Sequence, residues 1–169
     1  MAVAGMAHAE KADSEKVTDI AADQMTYDDV KQINVFIGNV VLTRGTLIMK
    51  AGRVVVTQDR AGYQSATMYA APGALATFRQ KRDGGPNLWV EGEAERIEYD
   101  GHAELVKLFT RAKLRRLEGP KPTDEIEGDF ISYDSRVEFI SVNNNAPGAK
   151  PGTGRIKAVI QPRIEPKAK

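Results

Sequence analysis

The chain has 169 residues, of which 41% are hydrophobic, and this size fits one domain with tails. Its 24 basic and 23 acidic residues leave a formal net charge of +1, so no basic face indicates nucleic-acid binding and no such partner is expected. The chain contains no cysteine, which excludes thiol nucleophiles, cysteine-based zinc sites and disulfide bonds.

The first residues resemble the end of an export signal. Ala7-His8-Ala9 has the small-x-small pattern that signal peptidase accepts. We therefore interpret residues 1–9 as a residual signal-peptide stub and residues 10–17 as a flexible N-terminus. An ordinary alanine-rich flexible start is the alternative interpretation. No later stretch approaches the ~20 apolar residues that a membrane-spanning helix needs.

From Ile20 onward, short runs of β-branched and aromatic residues alternate with turn residues. The predicted strands, in chain order, are 35–43, 46–49, 53–57, 74–78, 87–91, 96–99, 130–133, 137–141 and 155–160. Asp83-Gly-Gly-Pro86 predicts a turn, and Asp100-Gly101 predicts a hairpin. Short strands at this spacing predict an all-β sandwich or barrel. Residues 161–169 are predicted to form a disordered C-terminal tail.

The stretch 104–117 has an ambiguous pattern. Its apolar residues lie near helical spacing, which taken alone indicates an amphipathic helix. Its position between hairpin signals favours two strands instead.

A short motif recurs along the chain. Ala22-Asp-Gln-Met-Thr-Tyr-Asp28 is followed by similar segments at 94–100 and 128–134, and by a fainter one at 51–57. The apolar-polar-Tyr alternation predicts a strand with one buried face. The Asp after it predicts a turn, because its carboxylate can accept hydrogen bonds from nearby backbone amides. Each unit is therefore expected to be one strand with its turn.

An ordered series of segments resembles the OstA-like family over roughly residues 18–160. The matching segments are Ile20–Gln24, Gly38–Val41, Gly45–Thr46, Ala51–Thr57, Ala76–Phe78, Val90–Gly92 and Ile126–Tyr133. Gly52 stands where the family usually has Asp, so that corner is expected to be built differently.

The resemblance implies an all-β fold, an open-ended V-shaped antiparallel β-jelly roll over residues 18–160. It implies a periplasmic protein that binds the lipid A acyl chains of lipopolysaccharide in an apolar groove and bridges the inner and outer membranes during transport. The implied partners are an LptC-like inner-membrane component, an LptD-like outer-membrane component and head-to-tail copies of the chain itself. It implies neither catalysis nor a cofactor.

Strand alternation then assigns candidate site residues. The lipid-binding candidates are Ile20, Ile37, Leu42, Ile48, Val54, Val56, Phe78, Val90, Ile97 and Tyr99. The partner-docking candidates in the first and last strands are Thr18, Ile20, Ala22, Arg155, Ile156, Ala158 and Ile160. Ordinary core packing is the competing interpretation for each lining residue, and a slip of one residue would invert the assigned face.

Two other functions remain open at this stage. A structural or adaptor β-domain that only stacks with its partners predicts a closed core and no lipid binding. A sugar-active enzyme or lectin predicts converging carboxylates or exposed aromatic residues. The chain offers the carboxylate pairs Asp28/Asp29 and Glu93/Glu95 and one tryptophan, while His102 lies beside a predicted turn.

Overall fold

The structure, a computed structural model, describes residues 9–145 and 154–162. Within them the chain forms one short helix and twelve strands. The elements up to residue 69 are α1 Ala9–Ser14, β1 Thr18–Ala21, β2 Gln24–Asp28, β3 Ile33–Arg44, β4 Leu47–Gln58 and β5 Gln64–Tyr69. The others are β6 Ala76–Lys81, β7 Leu88–Ala94, β8 Arg96–Asp100, β9 Leu105–Glu118, β10 Lys121–Asp134, β11 Phe139–Val142 and β12 Lys157–Ile160.

All the strand pairings are antiparallel, and they form two sheets that share their long strands. The first sheet has the order β2-β3-β4-β5-β8-β9-β10-β11. The second has the order β1-β3-β4-β6-β7-β9-β10-β12. Because β3, β4, β9 and β10 run through both, hydrogen bonding connects all twelve strands. The result is the V-shaped jelly roll expected from the resemblance.

The long strands bend where their pairing changes from one sheet to the other. In β3, Gly38 and Asn39 have φ angles of 83° and 46°, and the register with β4 shifts at this point. In β9, Thr110 and Arg111 have φ angles of 66° and 52°. The left-handed conformation interrupts strand alternation, so each bend directs the chain into the other sheet. The ambiguous stretch 104–117 is therefore one bent strand rather than two strands or a helix.

The corner at Gly52 leaves no room for a side chain. A Cβ at this position would lie 2.8 Å from the Cα and backbone nitrogen of Ala71. The Asp that the family usually has at this corner would require the segment around Ala71 to move. The close approach of Ala71 therefore depends on the glycine at position 52.

A single apolar core lies between the two sheets. Residues of both sheets contribute to it, including Met68, Ile97 and Leu108 from the first and Met49 and Val90 from the second, each no more than 1% exposed. Small residues line the vertex of the V, where the sheets approach most closely. Ala76 pairs with Ala94, and Ala112 pairs with Gly128.

Gly92 of the second sheet packs closely against the core. A Cβ built at Gly92 would overlap the Phe78 ring and lie 2.8 Å from Cδ2 of Leu108 in the opposite sheet. We expect Gly92→Ala to lower the free energy of unfolding by about 1–3 kcal/mol, because the added methyl overpacks the core. Urea unfolding measures this change. Gly154→Ala is the control, since nothing lies within 4 Å of its Cβ position, and a similar loss in both variants would contradict the packing.

The N-terminal segment differs from the sequence expectation. Residues 10–17 were expected to be flexible, yet α1 covers Ala9–Ser14 and the Asp13 side chain is only 4% exposed. The reason is a set of hydrogen bonds from Thr46 and Gln80 to the Asp13 carboxylate. Of the predicted tail, Gln161 donates its backbone N–H to Thr123 O, while 163–169 lie outside the described residues, as do 1–8.

Candidate functional site: the apolar groove and its edges

The interior face of the first sheet carries a row of apolar side chains that crosses all eight strands. Consecutive members are paired across neighbouring strands. The first-sheet row is Met25, Phe36, Val54, Met68, Ile97, Leu108, Ile131 and Val142. Its central members are buried, whereas Met25 at the β2 edge is 57% exposed.

The second sheet carries a matching row. The second-sheet row is Ile20, Leu42, Met49, Phe78, Gly92, Leu114, Ile126 and Ala158. It begins on β1 and ends on β12, which are the edge strands of this sheet. The two rows face each other across the core, and we call the space between the sheets the groove. The apolar lining therefore reaches the edge strands at both ends.

A third row lies nearer the opening of the V. This mouth row is Tyr27, Asn34, Val56, Ala66, Tyr99, Val106, Tyr133 and Ile140. It explains the repeated motif, because Tyr27, Tyr99 and Tyr133 are the tyrosines of the three clear copies. The following Asp residues accept backbone hydrogen bonds in their turns, as predicted; Asp100 accepts from His102 N at 2.9 Å and Ala103 N at 3.0 Å.

Most of the predicted lining residues face the groove. Val54, Val56, Phe78, Val90, Ile97 and Leu42 are buried in the core, and Ile20 and Tyr99 pack against it. Ile37 and Ile48 are corrections, because they face solvent and are 42% and 38% exposed. Ile37 follows the buried Phe36, and Ile48 lies between the buried Leu47 and Met49, so strand alternation turns both outward.

An apolar pocket remains between the sheets near β1. Its volume is about 20 Å³, far below the roughly 300–1,000 Å³ range of small-molecule sites, so the sheets must separate before an acyl chain can enter. Residues of both sheets line it: Thr18, Leu42, Arg44, Leu47, Met49, Val56, Gln64, Ser65, Ala66 and Tyr99. The sequence assignment missed Leu47 and Met49, although their alternation around Ile48 was the signal that could have found them.

Tyr99 contributes a phenol to this pocket. Burial raises its pKa above the ordinary 10.0, and the nearby Arg44 opposes the shift. The folded protein therefore retains a proton that the unfolded chain loses above pH 10, so this residue stabilises the fold less as pH rises through that range. We expect Tyr99→Phe to lose less stability than the wild type above pH 10 in urea titrations. An equal loss of stability in the two proteins would contradict the raised pKa of Tyr99.

The outer face of the second sheet is covered by ion pairs. Lys113 contacts Glu125 at 2.9 Å and Glu127 at 3.1 Å, and hydrogen bonds to them raise the pKa of the lysine. Arg115 contacts Glu91 at 3.4 Å, and Arg79 contacts the same carboxylate. Because charges of both signs alternate on it, this outer face is suited to contact with water. The apolar groove is therefore the feature that distinguishes the molecule.

The carboxylates considered for catalysis do not meet at one site. Glu93 lines an open surface pocket on the second sheet together with Glu91, Arg79 and Arg115. Asp28 accepts from Lys31 N, Asp29 accepts from the Tyr27 hydroxyl, and Glu95 pairs with Arg111. His102 stacks on Tyr63 with ring centroids 4.1 Å apart. Among the described residues, no group of three or more His, Asp or Glu side chains could hold a metal ion. No helix in the described part of the chain is long and apolar enough to cross a bilayer.

Each sheet ends in two unpaired edges, and these lie at opposite ends of the molecule. β1 and β2 border β3, whereas β11 and β12 border β10. Of the docking candidates, Thr18 and Ile20 lie in β1, and Ala158 and Ile160 lie in β12. Ala22 follows β1, and Arg155 and Ile156 precede β12, so both strands are shorter than predicted. β12 is exposed throughout.

The number of strands in each sheet determines how the edge strands of two copies could pair. Because each sheet has eight antiparallel strands, its two edge strands run in opposite directions. A copy placed head to tail would therefore continue the antiparallel pattern in both sheets at once.

Comparison with known proteins identifies the lineage of this fold. The model of the "LptA/(LptD N-terminal domain) LPS transport protein" family matches residues 19–139. The chain belongs to this family. It is 30% identical to the lipopolysaccharide export system protein LptA of Haemophilus influenzae, with 92% of this chain and 83% of that protein covered. It is 33% identical to LptA of Escherichia coli K12, over 72% of this chain and 61% of that protein.

A solved structure shares the architecture. LptH of Pseudomonas aeruginosa, described as the LptA-homologous periplasmic component of a lipopolysaccharide transport device, superposes with a TM-score of 0.75. The superposition covers 89% of this chain and 99% of that chain at 24% identity. At this identity the similarity supports the jelly-roll fold itself. The named relatives are transport proteins rather than enzymes.

Proposed function

We propose that this protein carries lipopolysaccharide across the periplasm by holding lipid A acyl chains in the groove. The observation that carries the proposal is the pair of apolar rows, which reach the edge strands at both ends. The named relatives, which are lipopolysaccharide export proteins, support the choice of lipid.

The energetic reason for such a groove is the cost of exposing lipid to water. An acyl chain of about a dozen methylenes costs roughly 10 kcal/mol to expose, at ~0.8 kcal/mol per CH₂. Several chains on one lipid make free diffusion negligible. An apolar path that continues from one copy to the next avoids this cost throughout the crossing.

Docking at the edges supplies that continuity. The edge strands β1 and β12 present unpaired backbone groups, so strand addition can join copies of the chain head to tail. The same edges would join an LptC-like component at the inner membrane and an LptD-like component at the outer membrane. The protein thereby bridges the two membranes.

The packed interior favours a second candidate function. The core side chains of both sheets are buried against one another, as expected of an adaptor domain that stacks with partners without binding lipid. Under the lipid proposal, the sheets separate and the pocket near β1 widens when a chain enters.

Lipid titration separates the two functions. The purified protein should bind the fluorescent fatty acid cis-parinaric acid with a saturable binding curve. Added lipopolysaccharide should displace this probe in competition. Ala66→Leu, which fills the pocket, should weaken binding, whereas Thr67→Leu on the other face of β5 should not. Absence of lipid binding by the folded wild type would support the adaptor function instead.

A further inference from the structure

The helix α1 lies at the opening between the sheets and is attached through one buried carboxylate. Asp13 is the charged side chain that is buried among the described residues, at 4% exposure. Its Oδ1 accepts a hydrogen bond from Thr46 N at 2.8 Å. Its Oδ2 accepts from the Thr46 hydroxyl at 2.5 Å and from Gln80 Nε2 at 3.0 Å. Thr46 lies in the turn between β3 and β4, and Gln80 lies in β6, so all these donors come from the second-sheet side.

Beneath α1 is a cavity that involves both sheets. Asp13 and Ser14 form one wall, and the cavity is small, at about 10 Å³. The other lining residues are Arg44, Leu47 and Gln80 from the second sheet and Tyr99, Glu104, Val106 and Ser135 from the first sheet and its turns. Arg44, Leu47 and Tyr99 also line the apolar pocket. α1 therefore lies at the opening between the sheets, directly beside the apolar pocket.

The attachment of α1 is polar and local. Besides the Asp13 contacts, the Arg44 guanidinium donates to the Ser14 carbonyl. The neighbouring Ala12 and Glu15 are exposed, and Val17 is 79% exposed, so no apolar side chain between 12 and 17 anchors the segment. Water can replace these hydrogen bonds when α1 detaches, and a six-residue helix has little stability of its own.

We propose that α1 is a removable closure of the groove. A docked α1 and an entering acyl chain exclude each other, so Asp13 leaves Thr46 and Gln80 before lipid enters the pocket from this side. The closure rests on the proposed lipid-carrier function. It occupies the opening beside the apolar pocket and leaves it when lipid arrives.

A reversible disulfide bond that holds α1 in place tests the closure. Because the chain has no native cysteine, Asp13→Cys with Thr46→Cys introduces one pair at the point where the two side chains now meet. In the full chain, the oxidised pair should take up cis-parinaric acid and lipopolysaccharide at least tenfold more slowly than the reduced pair. The matched control is Lys50→Cys with Thr77→Cys, paired on the outer face of β4 and β6, whose uptake should not depend on oxidation.

A second variant tests the closure even if the disulfide bond does not form. Asp13→Ala removes the attachment and should accelerate uptake severalfold relative to the wild type, with unchanged uptake in the outer-face control. Equal uptake by the oxidised and reduced pair, or an unchanged rate in Asp13→Ala, would overturn the closure while the lipid-carrier function stands. No uptake by the folded wild type would overturn that function and the closure with it.

Discussion

Ala158→Pro should abolish most of the proposed head-to-tail association while leaving the monomer folded. Gln161 donates its backbone N–H to Thr123 O on β10. Because backbone groups alternate along an antiparallel ladder, the N–H groups of residues 159 and 157 also point toward β10, and that of Ala158 points outward. Proline at 158 therefore removes a docking donor without removing a bond of the monomer.

The expected loss is at least about tenfold in the association constant, which corresponds to ~1.4 kcal/mol and one interprotomer hydrogen bond. Sedimentation velocity over a concentration series measures it. Ala158→Ser is the matched control, because it keeps the backbone donor at nearly the same side-chain size. Association of Ala158→Pro at wild-type strength would mean that β12 is not the docking edge.

If β12 is the docking edge, the register predicts which residues approach across the interface. The second-sheet row ends on Ala158 and begins on Ile20, and the first-sheet row ends on Val142 and begins on Met25. A head-to-tail copy that continues the rows places Ala158 opposite Ile20 and Val142 opposite Met25. The lining of the groove then passes from one protomer to the next without a polar break.

Strand alternation and turn residues made much of this fold predictable. The copies of the repeated motif occupy equivalent positions on β2, β4, β8 and β10, with an apolar residue in the first-sheet row and the next alternate residue in the mouth row. Asp28, Asp100 and Asp134 accept backbone hydrogen bonds in the turns that follow. These features are local, so the sequence contains them.

Other features depend on contacts distant in sequence. The strand β5 was not predicted, although Ala66 and Met68 are buried, because Gln64 to Tyr69 pairs with segments about a dozen and thirty residues away. The segment 46–57 was predicted as two strands, yet β4 runs through the bend as one. The sequence also did not show which face of each strand is buried, so Ile37 and Ile48 were wrongly assigned to the groove.

The helix α1 shows a third limit. Its segment is polar and lacks a repeating apolar face, so a flexible start was the natural prediction. The position of Asp13 depends on Thr46 and Gln80, which only the folded sheets bring together. The identity of the lipid could not be predicted from the apolar residues either. The apolar rows indicate only an apolar interior, and the choice of lipopolysaccharide comes from the family.

Site-specific photocrosslinking tests the central claim most directly. A photoreactive residue at Tyr99, in the mouth row and the pocket, should form a lipopolysaccharide adduct when the complete export system runs with ATP. The same probe at Phe78 should also react, whereas at the outward-facing Ile48 it should not. Adducts at Tyr99 and Phe78 alone are the predicted result. A folded protein with no adduct at either, or with equal labelling at Ile48, would contradict the groove.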